Sequence, residues 1–112
     1  MSQNPGVGGN SGSAILVSTK TPLTASSPTT ATVGVTSAQI VASNSSRKGL
    51  AIVNLSSNTI SIGIGSTAVL NSGITLTALG SVYEMSEYDY ALSAINAIAS
   101  VAGSEISIQE FT

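Results

Sequence analysis

Tyr83, Tyr88 and Tyr90 are the only tyrosines of the chain, and they stand among the carboxylates Glu84, Glu87 and Asp89. Paired carboxylates can run acid–base chemistry, and converging oxygens can hold a hard cation. These acids lack the Asx and glycine spacing of a calcium loop, and a solvated acidic loop accounts for them better. Tyrosine beside carboxylate also suits a sugar or a docking partner, because the ring supplies area and the hydroxyl supplies direction. The alternative is that one or two of the rings cap an apolar core. The chain has no histidine and no cysteine. The usual proton shuttle, the commonest metal ligands and a thiol nucleophile are therefore missing. A serine nucleophile would have to use Lys20 or Lys48, neither of them in a recognisable motif. Gly6-Val7-Gly8-Gly9-Asn10-Ser11-Gly12 has the glycine content of a phosphate loop. It lacks the preceding strand and following helix that would aim a helix N-terminus at a pyrophosphate. The expectation is no catalytic residue, no cofactor and no metal.

Charged residues make up 7% of the 112, against roughly 25% in ordinary soluble domains. The cations are Lys20, Arg47 and Lys48, and the net charge is −2. That leaves nothing to neutralise phosphates, so nucleic-acid binding is not expected. No run of about 18 apolar residues offers a membrane span. The opening residues MSQNPG lack the basic and apolar regions of a secretion signal, so synthesis in the cytoplasm is the expectation. Arg47-Lys48 reads as a solvated corner, or else as a turn that pairs with the acids of a neighbouring subunit.

Those residues need elements to hold them, and the chain changes character part-way. Residues 1–37 carry all three prolines among Gly, Ser, Thr and Asn, with almost no apolar periodicity. Such a stretch cannot bury enough apolar surface to offset the entropy of ordering it, so it reads as an extended arm ordered by another chain. Its one apolar run is Ala14-Ile15-Leu16-Val17. That run suits addition to a partner sheet or filling of a groove, or is simply an apolar patch in a tail. Ile15, Leu16, Val17, Pro22, Leu23 and Pro28 are the candidate partner-binding residues of the arm. Arg47, Lys48, Tyr83, Tyr88 and Tyr90 are candidate interface residues.

Residues 38–112 read as a run of short strands. Gln39–Ala42, Leu50–Leu55, Ala68–Leu70, Ile74–Leu76, Val82–Met85 and Glu105–Phe111 are predicted strands, separated by polar turns. The clearest strand alternates Ile60, Ile62 and Ile64 with Ser61, Gly63 and Gly65, which puts every isoleucine on one face. Residues 86–102 are ambiguous. Ser86 and Asp89 resemble a capping box, with Met85, Tyr88, Leu92, Ile95 and Ala99 near helical spacing. A strand over Leu92–Ser100, forming a hairpin with Glu105–Phe111, fits the surroundings better. Asn44-Ser45-Ser46 and Asn54-Leu55-Ser56 match a glycosylation sequon, which means little in so Ser- and Asn-rich a chain. The predicted architecture is all-β: a small β-sandwich or jelly-roll-like domain over 38–112, preceded by an arm over 1–37. Roughly 75 residues is near the lower limit for a self-sufficient core, and without disulfides oligomerisation is the expected staple.

The stretch from Ser37 to Phe111 resembles small β-domains of phage virion structural proteins. The resemblance rests on Asn44 to Asn54 (NSSRKGLAIVN), an Arg-Lys-Gly step into a strand ending in Asn. It continues through Ile60-Ser61-Ile62-Gly63 and from Ala94 to Ala99, and closes near Glu110. It covers about two thirds of the chain and none of residues 1–36. It implies a head decoration (cement) protein, or a head-fibre, neck or tail module, with a sandwich or jelly-roll fold and often a trimer. The expectation is a capsid-surface protein that binds the major capsid protein through its arm and itself as a homotrimer. A rival expectation is a carbohydrate-binding adhesin using Tyr83, Tyr88 and Tyr90.

Overall fold

A computed structural model of the protein describes residues 22–86 and 90–112. Eight strands are found there: β1 (Thr29–Val33), β2 (Ala38–Val41), β3 (Gly49–Asn54), β4 (Ile60–Ile64), β5 (Ile74–Leu76), β6 (Val82–Met85), β7 (Ile95–Ala99) and β8 (Ser104–Phe111). They form two antiparallel sheets in the orders β1-β8-β3-β6 and β2-β7-β4-β5. The pairings β1–β8, β2–β7, β3–β6 and β4–β5 are those of one long hairpin. Rolling it up adds the contacts β3–β8 and β4–β7 that close each sheet. This is jelly-roll connectivity, so the expected fold class is borne out.

Alternation decides which side chains fill the space between the sheets. Leu50 and Ile52 of β3, Ile60 and Ile62 of β4, Ile95 of β7, and Ile106 and Ile108 of β8 point inward and are buried. The intervening Ala51, Glu105, Ser107 and Gln109 face outward, as period two requires.

Three local expectations are corrected, while the favoured strand reading within 92–100 is borne out over Ile95–Ala99. The sandwich begins inside the expected arm of 1–37, because Thr29–Val33 is an edge strand paired in register with β8 from Ile108 to Ser104. Thr30 and Thr32 face out while Ala31 and Val33 face in, so five residues of low hydropathy suffice beside a strand that brings the rest of the core. Even the residues before it are tied down. Thr24 and Thr112 exchange two backbone hydrogen bonds of 2.9 Å, and the Ser26 N–H donates to the Glu110 carbonyl. Next, Ile95–Ala99 is a strand, not part of a helix. It forms no hairpin with β8, since the two lie in opposite sheets and residues 100–103 cross between them. Finally, Ala68–Leu70 is loop.

That loop covers the outer face of the second sheet. Ala68 is buried there and its N–H donates to Ser37 Oγ, while the Asn71 N–H donates to the buried Ser61 hydroxyl. Gly63 lies directly beneath. A Cβ there would stand 2.6 Å from the Ser66 carbonyl oxygen, 2.9 Å from that of Thr67 and 3.0 Å from the Ala68 nitrogen. All three are backbone atoms, so a methyl group has to lift the loop. Gly63→Ala is expected to destabilise the domain by about 1–3 kcal/mol, read from urea unfolding. Gly34→Ala, where a Cβ meets nothing within 4 Å, is the control.

Candidate functional site

The β2–β3 connection, the β6–β7 connection and the end of β8 meet at one pole of the sandwich, where Arg47 holds them together. Its side chain is 0% exposed. Nε donates to Glu110 Oε2 at 2.7 Å, Nη1 to the carbonyls of Ala91 and Ser93 at 2.8 Å each, and Nη2 to the carbonyl of Ala42 at 2.7 Å. The planar guanidinium thus ties three separate chain segments with charge-assisted bonds. Both sequence readings of Arg47 are corrected: it is neither a solvated corner nor an exposed interface cation. Lys48, next in the chain, is exposed, and its N–H closes onto the Phe111 carbonyl at 2.7 Å.

The other candidates are spread around this pole. Tyr83 lies on the inner side of β6 opposite Ile52, half-buried against the core, which is the core-capping alternative. Tyr90 is 43% exposed, next to the Ala91 carbonyl that Arg47 engages. Pro22, Leu23 and Pro28 are exposed at the point where the chain joins β8. Ile15, Leu16, Val17 and Tyr88 lie outside the described residues.

Leu23 forms one side of a groove of about 460 Å³ on the first sheet, with Gly49, Ala51, Glu84, Met85 and Phe111 around it. Small residues on β3 leave room for an approaching chain, Leu23 and Phe111 supply apolar walls, and Glu84 adds one anionic group. A second cleft of about 420 Å³ opens beside β1 and β2. It has Ile40, Val41 and Ile108 inside and Ser26, Thr29 and Glu110 at its edge. Ile40 reaches it because the register of β2 slips between Gln39 and Val41. Such surfaces suit an extended peptide with apolar side chains. Among the described residues, no group of three or more acids could hold a metal ion.

Two further polar residues do structural work that local sequence does not announce. Glu110, inward-facing near the end of β8, is the partner of Arg47. Asn54, at the opposite pole, is 0% exposed. Its Nδ2 donates to the carbonyls of Asn58 and Leu76, and its Oδ1 accepts from the N–H and the hydroxyl of Ser56. The sequon match at Asn54 therefore reflects a buried side-chain turn. At Asn44 the same pattern is an Asx turn to the Ser46 N–H. No family model matches the chain, and no curated protein and no solved structure matches it either.

Proposed function

We propose that this chain is a non-enzymatic structural protein of a phage virion: a decoration (cement) protein on the outer surface of the head. In this reading the jelly roll sits on the shell as a homotrimer, and residues 1–21 lie along neighbouring major-capsid subunits and staple them. The observation that carries the reading is how the chain is anchored. The eight strands make a whole jelly roll from residues 29–111, and Thr24 and Ser26 fasten the incoming chain to the last strand. The chain therefore enters the sandwich at a firmly tied point, beside a groove that suits an extended peptide. The sequence resemblance over residues 37–111 and the charge-poor surface support the same reading. An extended segment wraps a large surface at the cost of its ordering entropy, and many symmetry-related copies with trimer avidity offset weak single contacts.

Deletion of residues 2–21 tests it while leaving all eight strands in place. The truncated chain is expected to lose at least about tenfold in affinity for heads of the phage that encodes it, measured by cosedimentation and densitometry. Full occupancy by the truncated chain removes the arm as anchor. Labelled protein found at a single vertex, rather than over the whole shell, identifies a fibre, neck or tail module.

A further inference from the structure

The pole opposite Arg47 is closed by four connections, residues 34–37, 55–59, 77–81 and 100–103. Hydrogen bonds lace them to one another and to the strand ends. The Ala99 N–H donates to the Gly34 carbonyl, Ser100 N–H to Thr59, Gly80 N–H to Asn54 and Leu55 N–H to Glu105, at 2.7–3.0 Å. Each connection turns one large aliphatic side chain to solvent. Val35, Leu55, Leu79 and Val101 are 59%, 44%, 67% and 51% exposed. The two sheet orders set the connections side by side across the sandwich, in the sequence Val35, Val101, Leu55, Leu79. Adjacent strands are about 4.8 Å apart, so these side chains make a short ridge. None of the four connections contains a charged residue. Glu105 stands at the margin, accepting from the Thr32 hydroxyl at 2.7 Å.

The absence of charge narrows what can cover this ridge. A partner surface bearing charge would lose hydration here and find no counter-charge. Soluble-protein surfaces hold about 25–35% charged residues, which this pole would leave unmatched. A lipid surface is usually gripped by Lys or Arg beside the inserted side chains, and the ridge has neither. A surface that does match belongs to a chain with 7% charged residues, namely the same ridge on another copy. We infer that this pole is a self-association surface, with the ridge of one copy packed against the ridge of another. The inference does not rest on the decoration reading, because the ridge lies at the pole opposite the point where Pro22 and Leu23 join the sandwich. The pole offers fewer residues than the about 20–30 a side of a standard stable interface. The association is therefore reversible and concentration-dependent.

Sedimentation velocity on the full chain, from about 10 µM to about 1 mM, tests this. The average mass is expected to rise with concentration. Leu79→Glu, at the most exposed ridge position, is expected to weaken association at least about tenfold with an unchanged circular-dichroism spectrum. A wild-type chain monomeric throughout overturns the inference, as does association that Leu79→Glu leaves intact. Binding to phosphatidylcholine vesicles without self-association also overturns it. Capsid binding lost on deletion of residues 2–21, with self-association kept, counts against neither proposal.

Discussion

Arg47→Ala is expected to destabilise the domain by about 3–5 kcal/mol, which for many small domains is most of the folding free energy. The change removes the counter-charge of Glu110 and four donated hydrogen bonds. The carbonyls of Ala42, Ala91 and Ser93 lose their donor at a place where the departing side chain was 0% exposed. Each kcal/mol moves the melting temperature of a domain this size by about 4–8 °C, so the shift should exceed about 12 °C. Arg47→Lys keeps the charge but cannot serve carbonyls on three segments from one planar fork, and is expected to recover less than half the loss. Thermal unfolding of the two variants beside the parent decides the matter. A shift below about 4 °C for Arg47→Ala would mean that the buried guanidinium is not what holds this pole.

The second large effect is expected at the other pole. Asn54→Asp keeps the shape of the side chain but replaces an amide that donates to the Asn58 and Leu76 carbonyls with an oxygen that faces them. An ionised carboxylate in that position is buried and opposed by two carbonyl dipoles, so a loss of at least about 3 kcal/mol at neutral pH is expected. Asn54→Ala leaves the same carbonyls without a donor but introduces no charge, and is expected to cost less. Urea midpoints of both variants rank them. An Asn54→Asp midpoint equal to the parent's, with only Asn54→Ala lowered, would mean that Asn54 acts through its volume alone.

These residues show where local reading of the sequence succeeds. The isoleucines at 60, 62 and 64 and at 106 and 108 were legible because alternation is a property of neighbouring residues, and the core requires it wherever a strand has one buried face. Ile74–Leu76 and Val82–Met85 were bounded correctly by the turns around them. Thr29–Val33 was hidden because Ala31 and Val33 alone mark its inner face, and its place comes from pairing with β8, distant in sequence. Ala68–Leu70 looked like a strand because an apolar run has two uses: it can enter a sheet or lie over one. Arg47 was misread for a related reason. A lone cation at a turn normally stays hydrated, and the carbonyls that draw this one inside come from residues 42, 91 and 93. Asn54 and Glu110 had no structural role in the sequence reading, and only the folded geometry assigns them their work. For the candidate site, Leu23 was read as a partner-binding residue of the arm; in the structure it lines a groove of its own domain, which depends on β3, β6 and β8 meeting.

The attachment of residues 24–33 alongside the final strand has a mechanical consequence. Ladder bonds in an antiparallel pair run across the strands. A pull through Pro22 directed along the strand axis loads the bonds to Thr112, Glu110 and the rest of β8 in shear and together. Tension in that direction is spread over a whole strand instead of breaking the ladder one bond at a time.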